Sequence, residues 1–396
     1  MSVDLTRLVE EKVQKHAAAA IALSDDLAAH PEISDEEFES SRKMAEMLTA
    51  AGFEVEYPFC GYPTAFSAVL DNGDGPSIAV MAEYDALPDI GHACGHNVHG
   101  AMSVLAGLAL RELKDVFKGK VYVIGTPAEE MDGAKIGMAE RGVFDRMDLA
   151  VMIHSNAEGL SHSTMALLAL KGYDFVFKGQ TAHAAASPWG GRNALVAARK
   201  FLDLVDARRQ GFMTDVRFNG IFLDGGRAPN IIPERAEVRT EIRAESSARV
   251  ESMMEAVLNC ARGAALALDC EVEWKPYLSD FADMVRNKPA EDAMQRIFEG
   301  LGVEVSPVLP PSGSSDVGNV SYRCPSIQPL LAITRESYNL HTIEFARTTL
   351  LPEAHKALVL GARALALLAL EVMNDSGLRD AIRADFIREK EAKSKT

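Results

Sequence analysis

Apolar residues recur at helical spacing near the start of the chain, at Leu5, Leu8, Val9, Val13, Ile21, Leu23 and Leu27, which predicts an amphipathic helix that Pro31 ends. Ser34 followed by Glu37 has the form of a capping box and predicts a second helix through Met44 and Leu48, stopping at Gly52. The period then shortens. Stretches 53–57, 65–70 and 77–82 read as strands, the last two separated by the turn residues Asp71-Asn72-Gly73-Asp74-Gly75. The Ala-, Gly- and Leu-rich stretch 98–113 predicts a helix able to lie close on a sheet. Short apolar runs at 120–125 and 149–153, with a helical segment between them, read as further strands. Apolar strands alternating with helices predict parallel pairing in a sheet covered on both faces.

From about Lys171 the order changes to strand 172–178, helix 194–208, strands near 216–222 and 236–244, helix 247–268 and strand 270–277. This is the β-α-β-β-α-β order of a split, ferredoxin-like α+β module. It predicts a second domain at 171–281 inserted into a first made of 1–170 and 282–396. The return segment predicts a helix at about 290–301, a polar loop from Pro310 to Val320, the loop Ser337-Tyr338-Asn339-Leu340-His341-Thr342, and a long Ala/Leu helix from about Pro352 to Met373.

Composition narrows this picture. Single cores usually stop growing at roughly 250–300 residues, so a chain of 396 with 47% apolar residues can fill two. A net charge of −16 and the absence of a Lys/Arg block exclude nucleic acid and anionic membrane surfaces as expected partners. No apolar run reads as a membrane span, and Asp4, Arg7, Glu10, Glu11 and Lys12 leave no room for the apolar core of an export signal, so a cytoplasmic protein is expected. Five scattered cysteines are no disulfide framework and suit a reducing compartment.

The chemistry gathers at predicted strand ends. In Gly91-His92-Ala93-Cys94-Gly95-His96-Asn97-Val98-His99, Cys94 and His96 stand two apart, which on extended backbone sends both side chains to one side, where they can close on one ion. A thiolate with an imidazole suits zinc, cobalt or iron, and carboxylate partners admit manganese. Thr126-Pro127-Ala128-Glu129-Glu130 follows the 120–125 strand, and His154 follows the 149–153 strand. Ligands collect at the carboxyl ends of strands in such sheets. On near-extended backbone Glu129 and Glu130 diverge, so that one can bind metal while the other acts as a base. Cys94, His96, Glu130, His154 and the loop residue His341 make five candidate ligands, enough for two ions. His92 and His99 are read as supporting or structural.

Glu83-Tyr84-Asp85-Ala86-Leu87-Pro88, Gly91-His92-Ala93-Cys94-Gly95-His96-Asn97, Pro127-Ala128-Glu129-Glu130, Thr181-Ala182-His183-Ala184-Ala185, Asn230-Ile231-Ile232-Pro233 and Ser314-Ser315-Asp316-Val317-Gly318-Asn319, in this order, resemble the aminoacylase and carboxypeptidase family of dinuclear metallopeptidases. Within it the chain is similar to the amidohydrolase branch that holds aminobenzoyl-glutamate hydrolases and beta-alanyl-lysine dipeptidases. The resemblance implies an α/β zinc-peptidase-like catalytic domain with a mixed central sheet covered by helices, and an inserted lid domain through which a homodimer forms. It implies two divalent metal ions, manganese or zinc first and cobalt next, held by Cys94, His96, Glu130, His154 and His341. Glu129 is then the general base, Asp85 a support behind the ligands, His183 a donor that polarises the scissile carbonyl, and Asn230 a substrate contact. Asn97 departs from the aspartate of many members of the branch, and the residues after His154 are less typical.

The activity expected is hydrolysis of the amide bond of a small N-acyl amino acid, an aminobenzoyl-glutamate-like conjugate or a dipeptide. The competing expectations are a catalytically silent ligand-binding relative, one subunit of a hetero-oligomeric hydrolase, and a redox or structural role for Cys94.

Overall fold

A computed structural model describes residues 3–393. The chain divides into two compact units, one running to Ala166 and resuming at Met284, the other spanning Leu167–Asp283.

The first unit is built on a six-stranded mixed sheet, in spatial order Glu54–Glu56, Phe66–Asn72, Gly119–Gly125, Ser77–Ala82, Leu149–Val151 and Ser326–Ile327. The last four strands are parallel, while Phe66–Asn72 runs antiparallel to both of its neighbours. Val80 pairs with Val123 on one side and Val151 on the other, and all three are fully buried. That explains why these strands read as continuous apolar runs: helices cover both faces. The helix His96–Arg111 lies so close to the sheet that a Cβ on Gly100 would come within 2.0 Å of the Glu83 carbonyl oxygen. It packs against the helices Val3–Ala29 and Pro352–Asn374. The last of these corrects one expectation. At 23 residues it is long and apolar enough to cross a membrane, yet 72% of its most apolar window is buried inside the unit, where its Ala and Leu residues fill the core. A second, four-stranded sheet joins Val305–Ser306, Ser161–His162, Leu330–Ala332 and His154–Asn156. His154 therefore opens a new strand, parallel to Leu330–Ala332, rather than trailing the Leu149–Val151 strand.

In the second unit four antiparallel strands stand in the order Glu271–Pro276, Ala169–Lys178, Arg235–Ala244 and Arg217–Asp224. Helices Ala194–Arg208 and Ser247–Ala267 supply the two crossovers. Taken in chain order the strands lie 4-1-3-2, the split β-α-β topology. Arg235–Ala244 alternates buried and half-buried residues, as a sheet with one covered face requires. Phe175, Phe177, Phe201, Val238 and Val257 form its core.

Candidate metal and catalytic site

Three parallel strands deliver the site from their carboxyl ends: Ser77–Ala82 runs into Glu83 and Asp85, Gly119–Gly125 into Glu129 and Glu130, and Leu149–Val151 toward His154. Cys94 does not lie on extended backbone, as the spacing suggested. It sits in a turn, Gly95 takes a left-handed φ of 82°, and His96 already begins the helix. The side chains converge because glycine turns the chain between them: a Cβ at Gly95 would meet the Ser155 side chain at 2.6 Å. Glu129 and Glu130 likewise occupy a turn rather than a strand extension, preceded by Ala128 at φ 58°.

Two histidines are oriented to offer a bare nitrogen. His96 Nδ1–H donates to Asp85 Oδ1 at 2.9 Å, which directs Nε2 at the other candidate ligands and leaves that nitrogen for an ion to take in place of a proton. His154 Nδ1–H donates to its neighbour Ser155 O at 2.7 Å, and its Nε2 faces Cys94 Sγ at 3.4 Å. Glu130 Oε1 lies 3.9 Å from His96 Nε2 and 3.3 Å from His341 Nε2. His341 is held there by its own amide, which donates to Ala93 O at 2.8 Å, from a left-handed backbone of φ 63°. All five sequence candidates are thus brought together.

His96 Nε2 and Glu130 Oε1 are buried, and among the described residues neither makes a hydrogen bond of good geometry, His341 Nε2 standing 3.3 Å from the carboxylate oxygen. Buried polar atoms are seldom left so, because each lost bond costs about 1–3 kcal/mol. Cys94, His96 and Glu130 also bring their donor atoms within 4.8 Å of one another. A thiol sulfur, an imidazole lone pair and a carboxylate oxygen converging in a dry place fit a divalent transition-metal ion. Burial raises the Cys94 thiol far above its usual range, a shift that a dication reverses by taking the thiolate as ligand.

Behind these ligands lies a charged network that the sequence pattern did not announce. The Lys135 ammonium, fully buried, donates to Glu83 Oε1 at 2.7 Å and to Asp316 Oδ1 at 2.6 Å. Burial works against the charge, but Asp316 and Glu83 outweigh it and hold the lysine protonated. Glu83 Oε2 accepts from His99 Nε2 at 3.0 Å, while His99 Nδ1 accepts from the Ser155 amide at 3.2 Å. Both nitrogens of His99 thus have protein partners, although its ring stands with Glu83, His96 and His154 in one group of possible ligand atoms. Glu129 presents its carboxylate within 4.8 Å of Glu83 and Asp316. Burial, then repulsion from Glu83, Glu130 and Asp316, pushes its proton affinity well up, the direction a general base needs. One local signal for this network did exist: Lys135 is a lone cation between Ala134 and Ile136, on a segment that returns to an apolar core.

His183 and Asn230 belong to the second unit and lie side by side there. His183 forms an isolated bridge with Ile231, and the Ala184 amide donates to Asn230 O at 3.0 Å. The amides of Ala185 and Ala186 both donate to His183 Nδ1, at 3.2 and 3.1 Å. Nδ1 is thereby an acceptor, which puts the ring proton of this exposed residue on Nε2.

The chain aligns with known proteins over most of its length. The model of Peptidase family M20/M25/M40 matches residues 79–371. The Xaa-Arg dipeptidase of Mus musculus is 34% identical over 402 residues, covering 96% of this chain and 92% of that protein. A p-aminobenzoyl-glutamate hydrolase subunit from Escherichia coli (strain K12) is 26% identical over 454 residues, covering 95% of this chain and 93% of that one. Among solved structures, a dinuclear metal-binding peptidase of the M20 family from Bacillus subtilis matches with a TM-score of 0.70 at 21% identity, over 91% of this chain and 99% of its own.

Proposed function

Because the chain belongs to peptidase family M20/M25/M40, we propose that it is a metal-dependent amidohydrolase that cleaves the amide bond of a small dipeptide or N-acyl amino acid. The observation that carries this reading is the pair of buried atoms His96 Nε2 and Glu130 Oε1, without good hydrogen bonds, beside Cys94, with the proton-avid carboxylate of Glu129 adjoining Glu130 in the chain. Cys94, His96, Glu130, His154 and His341 would hold two divalent ions, manganese or zinc first. Bound there, the ions lower the pKa of water and polarise a carbonyl. Asp85 keeps His96 in the ligating tautomer. Glu129 takes a proton from the attacking water and returns it to the leaving amine nitrogen. His183 is assigned as the donor to the carbonyl oxygen, a role its fixed Nε2–H tautomer supports, and Asn230 as a substrate contact.

Likeness to the Xaa-Arg dipeptidase over nearly the whole chain makes dipeptides ending in a basic residue the first substrates to try, and aminobenzoyl-glutamate the next. A homodimer through the second unit is supported by its edge strand Arg217–Asp224, which exposes Ile221, Phe222 and Leu223 in a row. A cytoplasmic location is supported by five free cysteines.

The test is release of amine from a panel of dipeptides, N-acyl amino acids and aminobenzoyl-glutamate by apoprotein reloaded separately with manganese, zinc and cobalt. Metal-dependent turnover of one class is expected. Turnover that survives complete chelation rejects the reading.

A further inference from the structure

The short segment between the first two helices does something its sequence conceals. Ser34 and Glu37 have capping-box spacing, but neither caps the helix Phe38–Ala50. Glu32 does so instead: its carboxylate accepts from the Glu39 amide at 3.0 Å, the Ser40 amide at 2.7 Å and the Ser40 hydroxyl at 2.7 Å. That frees both box residues, and each turns inward to the site. Glu37, fully buried, accepts from the Ala128 amide at 2.8 Å through Oε1 and from the Thr64 hydroxyl at 3.0 Å through Oε2. Ser34 Oγ donates to Asp85 Oδ2 at 2.8 Å, and the same oxygen accepts from the Glu130 amide at 3.1 Å. The backbone is tied as well, since the Ala86 amide donates to Glu32 O at 2.8 Å.

The amides on either side of Glu129 are therefore held by two buried carboxylates, one from Glu37 directly and one from Asp85, which Ser34 steadies. The first of those amides belongs to Ala128, whose left-handed backbone at φ 58° is one that a non-glycine residue adopts at a cost. A turn with that conformation needs an outside contact to hold it, and Glu37 supplies one from 91 residues away in the chain.

We propose that Ser34 and Glu37 are positioning residues, which clamp the Ala128–Glu130 turn and Asp85 so that Glu129 faces the reacting bond while Glu130 faces the metal ligands. The clamp rests on the roles given above to Glu129 and Glu130, but its geometry can be tested without a substrate. In Glu37→Ala the amide of Ala128 loses its acceptor, and hydrogen exchange in the peptide spanning the turn is expected to quicken about tenfold or more, with weakened metal retention. On a turned-over substrate, kcat should fall by about tenfold or more while KM changes little, as expected when orientation rather than binding is lost. Glu37→Gln, whose amide oxygen still accepts from Ala128 and whose nitrogen can donate to Thr64, should recover most of the loss. Adding Ala128→Gly, which relieves the strained backbone, should also offset part of the Glu37→Ala defect. Wild-type exchange at the turn in Glu37→Ala, or a Glu37→Gln protein as impaired as Glu37→Ala, overturns the proposal. Should Glu37→Ala fail to fold, Ser34→Ala decides alone: faster exchange of the Glu130 amide supports the clamp, and unchanged exchange rejects it. If no substrate is found at all, the exchange and metal readouts still separate a failed clamp from a failed assignment of activity.

Discussion

Glu129 is the residue on which the chemistry turns. It shares its surroundings with Glu83, Asp316 and Glu130, and Lys135 brings a permanent positive charge into that group. Such an environment raises the proton affinity of its carboxylate, so that in its ionised form Glu129 draws a proton from water strongly. Replacing it with glutamine keeps its shape and removes the base. Glu129→Gln is expected to lower kcat by about 10²–10⁴-fold with metal content unchanged by elemental analysis; loss of metal in the same variant would move Glu129 into the ligand set. Glu37 makes a separate, thermodynamic prediction. Burial raises it from 4.5 to about 7. Between those values the folded protein keeps a proton that the unfolded chain has released, so this residue makes stability fall as pH rises across that window. The contribution is on the order of 3 kcal/mol. Denaturant titrations at pH 5 and pH 7 should show that Glu37→Gln flattens this part of the fall, since the other groups titrate in both proteins.

At the scale of elements, the site depends on turns that break the regular structure at strand ends. Gly95 at φ 82°, Ala128 at φ 58° and His341 at φ 63° redirect the chain at or close beside candidate site residues. Backbone strain concentrated where function needs odd side-chain directions is common in active sites. Gly95 is the sharpest case, being both left-handed and too crowded for a Cβ. Gly95→Ala is expected to destabilise the protein by about 3 kcal/mol, seen as a lower urea midpoint, and to lose metal first, because the strain is released by moving Cys94 or His96. A stability change without any change in metal affinity would mean that the turn is not what aims these two ligands.

For the whole molecule, the five candidate ligands come from positions 94 to 341, yet all lie in the unit formed by the two outer parts of the chain. The Leu167–Asp283 unit has its own aromatic core and holds none of them. Metal binding should therefore stabilise one unit and not the other. In calorimetry, chelation is expected to lower the transition of the ligand-bearing unit by about 10 °C and leave that of the second unit in place. Equal shifts in both would contradict ligation by these residues.

The hydrophobic pattern alone determined most elements and the split topology of the inserted segment, and the strand ends drew attention to Cys94, His96, the Glu129–Glu130 pair and His154; His341 stood out only as a loop histidine, and Glu130 rather than Glu129 as the ligand followed from the family resemblance. Motif order determined the family. Local spacing could not determine backbone direction at the ligands: Cys94 and His96 were expected on extended chain and meet through a left-handed glycine, and Glu129 and Glu130 diverge in a turn. Nor could it show that Ser34 and Glu37 abandon their helix, since Glu32 takes over the cap only once the chain has folded back. Lys135, Glu83, His99 and Asp316 became a network only in three dimensions, where residues 52 and 181 positions apart share one buried ammonium. Period and propensity act over a few neighbouring residues. Charge compensation in a dry interior acts between whatever side chains the fold brings together, and only the tertiary structure decides which those are.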